Sequence, residues 1–340
     1  MSEDVAHRVA RAVRAVVPTR VGVSVISAQG PLVDLDVDGH CLRAYWIYPG
    51  NPARLQEALW LLGSRLPDVF VARRLSPGAR EVASRAGVGW IDETGDAELA
   101  LDWLVVSRAG HRESRSDRRP SHWTPSIAGI AEALLTGTKP TTRDVASATG
   151  LSLGVCVRAL SFFTELGFLT ARAHRGRHSA RHLADPDRLL DEYASAATAF
   201  PRVELRVGVL WRDPVAGVSD LGRRWDAAGI RWAATGSVAA AVLAPYLTDV
   251  GTGEVFVAGR TRDDLLAAAH RVSARSMEGG RLLLRLFPSP ATERLSTRSN
   301  GLCIAPWPRV YADLRRIGVR GEDAAEHLRE VMRGRGVTTL

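Results

Sequence analysis

Residues 141–170 read TTRDVASATGLSLGVCVRALSFFTELGFLT, and this stretch decides how the middle of the chain folds. Two threonines precede a short apolar-periodic run, which predicts a helix over 143–149 with a threonine side chain as its N-cap. Gly150 stands where that helix must stop in a left-handed conformation. Leu151 and the N-cap candidate Ser152 lead into a helix over 153–166, ended by Gly167. Within it Cys156, Ala159, Leu160 and Phe163 recur at the spacing of one helical face, the side predicted to be buried. Ser152, Gly154, Val155, Arg158 and Ser161 fall toward the other side. Phe168-Leu169-Thr170 then starts a strand.

Upstream, PSIAGIAEALLTG at 125–137 places Ile127, Ile130, Ala131 and Leu134 at helical spacing and ends on a glycine. Lys139-Pro140 forms an extended lead into the next helix. Downstream, ARAHRGRHSARH at 171–182 has four arginines, three histidines and no acid. It is predicted to form a hairpin with Gly176 near the tip, returning at His182-Leu183.

Helix, helix, glycine turn, helix and hairpin is the order of winged helix-turn-helix domains, which residues 124–185 resemble. The resemblance implies double-stranded DNA as partner, with the third helix in the major groove. Arg158 is then the base-reading candidate, since a guanidinium bonds guanine O6 and N7 together, and Val155 is placed to touch a thymine methyl. Ser152, Gly154 and Ser161 complete that face. Thr141, Thr142 and Arg143 lie at a helix N-terminus, where backbone amides suit a phosphate. Arg172, Arg175, Arg177 and Arg181 of the wing would follow phosphates or enter a narrow minor groove. The plainer readings are a solvated basic turn for the hairpin and a surface ion pair for Arg158. His174, His178 and His182 recur every fourth residue, but across a hairpin that spacing makes no metal face, and no metal or cofactor is expected.

A second basic segment, RAGHRESRSDRRPSHW at 108–123, carries Arg112, Arg115, Arg118 and Arg119 among few apolar residues. It cannot bury itself and reads as a linker or DNA-contacting arm, following a strand expected over 101–107. The whole chain has 340 residues and a formal charge of +8. Its sequence pI of about 10.2 suggests a polyanion partner. Lys139 is the only lysine, so where the arginines cluster is more informative than their number. The length suits two or three domains. Cys41, Cys156 and Cys303 are scattered in apolar neighbourhoods and read as buried structural thiols of a reducing compartment. With no apolar run of membrane-spanning length and no signal-like start, the expected location is the cytoplasm, associated with the nucleoid.

The flanks read as α/β domains, making the chain α+β and multidomain. In residues 1–107 a helix over 4–17 precedes strands at 21–27, 32–37 and 40–48. A helix at 52–65, a strand at 69–72, a helix opened by Ser76-Pro77 and a strand at 89–92 follow. RRLSPGAREVASRAGVGWIDETGDAEL resembles the degenerate restriction-endonuclease-like domains at the front of some bacterial regulators. A working nuclease of that kind needs an Asp and then a Glu-x-Lys strand around Mg²⁺. Asp34, Asp36 and Asp38 are present, but 42–48 (LRAYWIY) has neither carboxylate nor lysine, and Asp92, Glu93, Asp96 and Glu98 form a turn without one. The resemblance therefore implies a structural or dimerising domain.

In residues 186–340 a helix at 186–199, a strand at 202–210 and a helix at 219–228 precede IRWAATGSVAAAVLAPYLTDVGTGEVFVAG. This segment resembles the Gly-Ser opening of nucleotidyltransferase folds, with a turn at Gly236-Ser237, a helix at 238–244 and a strand at 254–257. Active members carry two carboxylates on that strand; here Glu254 is alone, with Asp249 before it. GLCIAPWPRVYADLRRIGVRGEDAAEHLREVM has a strand, a Pro-rich turn and one helix. With the Gly-Ser segment it resembles the C-terminal domain of regulators related to AbiE-like type IV antitoxins, which implies a self-repressing transcriptional regulator. Trp232, Trp307 and Tyr311 read either as a stacking platform or, preferably, as packing. The leading expectation is a sequence-specific, non-enzymatic DNA-binding regulator acting as a homodimer. The alternatives are a metal-dependent nuclease or nucleotidyltransferase with a DNA-binding module, and a non-specific architectural protein.

Overall fold

The computed structural model describes residues 2–108, 123–171, 181–246 and 250–336. The chain is mixed α/β and separates into two compact units, Met1–Ser121 and His122–Leu340.

In the first unit, α1 (Ser2–Val16) precedes β1 (Val23–Gln29), β2 (Leu32–Val37) and β3 (His40–Ile47). Then come α2 (Pro52–Leu62), β4 (Val69–Ala72), α3 (Pro77–Arg85), β5 (Gly89–Asp92), β6 (Ala97–Leu101) and β7 (Leu104–Arg108). The seven strands lie in chain order in one sheet. The β3–β4 and β4–β5 pairs are parallel and the others antiparallel. The central strand β4 is buried along its whole length, as a strand covered on both faces must be. Val9 and Val13 of α1 pack on one face with Val33, Leu35 and Val71. Leu55 of α2 and Ala79 and Ala83 of α3 pack on the other with Phe70 and Trp90. Asn51 and Ser76 cap α2 and α3, each followed by a proline in the first turn, where the missing N–H costs nothing.

The strand expected over 101–107 is instead a hairpin, turning at Asp102-Trp103 and pairing Leu99 with Val106. Trp103 stacks on His40 with ring centroids 4.7 Å apart, a long-range contact that local alternation does not encode. Cys41, expected to be buried, is exposed because it lies on the outward face of β3.

The second unit begins with α4 (Pro125–Leu135), α5 (Thr142–Thr149), α6 (Leu153–Glu165) and the two-stranded sheet of β8 (Leu169–Ala171) and β9 (Arg181–Leu183). The remainder runs α7 (Pro186–Ala199), β10 (Glu204–Gly208), α8 (Pro214–Ala227), β11 (Trp232–Thr235), α9 (Gly236–Leu243), β12 (Gly253–Val257) and α10 (Arg262–Arg271). It ends β13 (Arg275–Ser276), β14 (Leu282–Leu286), α11 (Pro290–Leu295), β15 (Thr297–Ser299), β16 (Leu302–Ile304), α12 (Trp307–Leu314) and α13 (Val319–Gly334). The seven-stranded sheet has the order β13-β10-β14-β12-β11-β16-β15. Its parallel pairs are β12–β14 and β11–β16.

One apolar core runs through this unit, from Ile130 and Phe163 through Tyr193 and Trp225 to Val310 and Leu328. Helix α8 starts earlier than expected because Asp213 caps it, accepting from the Val215 and Ala216 amides. The single helix expected near the end is two, α12 and α13, separated at Gly318 with φ of +83°. Trp232, Trp307 and Tyr311 are buried, which is the packing alternative. The Trp307 indole donates 3.1 Å to the Leu135 carbonyl, tying α12 to the end of α4.

Candidate nucleic-acid interface

The Thr141 hydroxyl caps α5 by accepting from the Asp144 amide at 3.1 Å and donates to the Asp144 carboxylate at 2.7 Å. The positive end of α5 is thus already matched by Asp144, and a phosphate arriving there would meet that carboxylate. Thr141 and Arg143 are exposed and Thr142 is half-buried. Val145 and Thr149 face the core. Gly150 adopts φ of +72°, a left-handed position that closes α5. The chain then turns by 118° into α6.

Cys156, Ala159, Leu160 and Phe163 form the buried side of α6, the four residues read from the sequence. Burying Leu160 and Phe163 contributes about 1.5–3 kcal/mol each, which fixes the rotation of the helix about its axis. Ser152 occupies the N-cap position without a side-chain cap bond. Gly154 and Arg158 are exposed, and Ser161 is half-buried. Val155 is half-buried and packs toward the core, whereas Leu153 and Val157 stand 61% and 48% exposed. Sequence reasoning overlooked these two. Val157 lies about 110° around the helix from the buried centre, a position that a helical wheel drawn from the buried four would have flagged.

Arg181 is half-buried on β9, and His182 is exposed. Arg112, Arg115, Arg118, Arg119, Arg172, Arg175 and Arg177 lie outside the described residues, as do His174, His178 and Asp249.

Behind the interface, α4 buries every residue from Ala128 to Leu135, including Glu132. The Glu132 carboxylate accepts from the Tyr193 hydroxyl of α7 at 2.6 Å. Burial pushes its pKa up to about 7, against the opposing pull of the Tyr193 hydrogen bond and of Arg309. Arg309 of α12 clamps Asp313 with two hydrogen bonds, one of 2.9 Å from Nε. Thr235 of β11 donates to Asp313 at 2.8 Å, and Arg202 and Arg285 approach it at 3.5 Å. Burial alone would raise the Asp313 pKa, but Arg309, with Arg285 and Arg202 behind it, holds it down at about 2.

Arg285 reaches on from Asp313 to Glu254 at 2.8 Å and to Glu204 at 2.9 Å. Burial pushes the Glu254 pKa up while Arg285 opposes it. Gly236 has φ of +57°, and a Cβ there would meet the Glu254 carboxyl carbon at 2.9 Å. The space beside the Gly-Ser turn is therefore filled by a carboxylate bound to an arginine.

Two of the candidate carboxylates of the first unit are similarly occupied. Asp34 pairs with Arg43 at 3.1 Å. Asp92 accepts from the Thr94 and Asp96 amides and from Arg80 at 2.9 Å, closing the turn before β6. Among the described residues no group of three His, Cys, Asp or Glu side chains is placed to hold a metal ion. No single helix there is long and apolar enough to cross a membrane. Comparison of the chain with known protein families, curated proteins and solved structures yields no match.

Proposed function

We propose that residues 124–185 are a winged helix-turn-helix and that the chain is a sequence-specific regulator of transcription that binds double-stranded DNA. The observation that carries this reading is the outward side of α6, where Leu153, Gly154, Val157 and Arg158 are exposed directly after a left-handed glycine turn. A helix held by its opposite side on a rigid core presents such residues to the major groove. Arg158 reads guanine, and Val157, rather than the half-buried Val155, touches a thymine methyl. Lys139 and Arg143, both exposed, supply charge for the backbone.

The arginine-bound carboxylates favour a regulatory over an enzymatic reading. Glu254 is engaged by Arg285 beside Gly236, and the first unit spends Asp34 and Asp92 on its own turns and strands. In this reading the first unit is a degenerate restriction-endonuclease-like domain, the C-terminal sheet is nucleotidyltransferase-like, and the resemblance of the C-terminal sequence to antitoxin-related regulators suggests a repressor. A homodimer would set two α6 helices on half-sites one or two turns of DNA apart.

The test is genome-wide mapping of bound DNA with the wild type and Arg158→Ala. Discrete peaks sharing a motif, weakened by about 1–3 kcal/mol in the variant, are expected for base reading by this arginine. Diffuse binding that Arg158→Ala leaves unchanged would reject sequence-specific reading by α6.

A further inference from the structure

We propose that Arg294 of α11, more than a hundred residues beyond the recognition helix, is a DNA-phosphate contact belonging to the same surface. This rests on the DNA-binding reading above and adds to it a residue from outside 124–185.

The base of α11 is fixed against α4. A Cβ on Gly129 would lie 2.5 Å from the Ala291 Cβ and 2.9 Å from the Ser289 hydroxyl, so the two helices meet where only a glycine fits. Ser289 caps α11 by accepting from the Thr292 amide at 3.0 Å, and Thr292 is buried. From this footing Arg294 runs beside the turn that joins α5 to α6. A Cβ on Gly150 would lie 3.3 Å from its Cδ and 3.6 Å from its Nη1. Four residues further along the chain, the Arg158 Nη1 comes within 4.0 Å of the equivalent position on Gly154. The two guanidinium groups therefore flank residues 150–154, the start of the recognition helix.

No carboxylate among the described residues pairs with either charge. Glu293, next to Arg294, is bound by Arg231. Among the described residues neither Arg294 nor Arg158 forms an ion pair, and both are exposed. An arginine at this position faces the phosphates that border a helix lying in the major groove, and a phosphate contact orients the protein without reading sequence. The competing structural role is that of a cation at the end of α11, where it favours the negative end of that short helix.

The full-length protein and bulk sheared duplex DNA separate the two roles, because a phosphate contact does not depend on sequence. Arg294→Gln retains the Cβ and Cγ methylenes of the stem and a polar end, and removes the charge. Its log Kd against log salt should be shallower than wild type by about 0.9, the contribution of one phosphate. Arg294→Lys should restore the wild-type slope. A Gln variant with wild-type slope overturns the proposal, whether or not its melting temperature moves. A wild-type protein that binds no duplex DNA at low salt overturns the underlying reading instead.

Discussion

Helices α4 and α6 belong to one three-helix arrangement and treat their surroundings in opposite ways. α4 is enclosed along eight consecutive residues and carries a carboxylate into that enclosure. α6 buries four residues and leaves Leu153 and Val157 in solvent. An enclosed helix must find partners for its polar groups inside the protein, and Glu132 does so through Tyr193. A half-exposed helix keeps apolar side chains in water, an arrangement that favours something covering them. The contrast separates the element that holds the unit together from the element available to a partner.

The largest way to break this contrast is to open the polar network behind α4. Asp313→Ala leaves Arg309 buried without its carboxylate, and removing one partner of a buried pair costs about 3–5 kcal/mol. Urea unfolding of the full chain should show a lowered midpoint for the unit of residues 122–340; an unchanged midpoint would mean the network contributes little.

Glu132 comes next. Its folded pKa of about 7 exceeds the ordinary carboxylate value of 4.5, so the folded state holds a proton that the unfolded chain releases. Its contribution to stability is complete below pH 4.5 and is lost as pH rises through 7, on the order of 3 kcal/mol across that window. Glu132→Gln should remove this part of the pH profile and be the more stable protein at pH 8. Parallel wild-type and variant profiles between pH 5 and 8 would show that Glu132 does not titrate there.

Gly129→Ala drives a methyl into Ala291 and should cost about 1–3 kcal/mol, as overpacking does. Thermal melting reads this directly. The smallest effect belongs to α6: Val157→Ser should shift stability by no more than about 0.5 kcal/mol while weakening DNA binding. Replacing thymine by uracil in the bound duplex should then cost the wild type more affinity than the variant. Equal losses would remove Val157 from the reading surface.

The central helices were legible because their signals are local. Thr141, Gly150 and the Cys156–Phe163 periodicity each act within one or two turns, and the structure uses all three. What escaped depends on distant partners. α4 shows an ordinary apolar stripe in sequence, yet its remaining sides are covered by α7, α11 and α12, whose approach no local pattern encodes. The β6–β7 hairpin looks like one strand in sequence because its turn, Asp102-Trp103, lacks the glycine or proline that marks most tight turns. Val155 and Val157 lie at opposite edges of the buried arc of α6, and the neighbouring elements leave Val155 half-covered and Val157 exposed. The same holds for Glu132, an isolated acid in an apolar helix whose hydrogen-bond partner lies 61 residues on.

The hydrogen bond from Trp307 to the Leu135 carbonyl spans 172 residues. During synthesis, α4 leaves the ribosome long before α11 and α12 exist to cover it. Until then the flanks of α4 that face α11 and α12 have no native shelter, even once Tyr193 of α7 can reach Glu132, and a nascent chain ending short of residue 307 displays a partly uncovered apolar helix. Completion of the core around α4 is therefore a late event in the life of each chain, and chaperone occupancy should concentrate on nascent chains that have passed residue 135 but not yet 307.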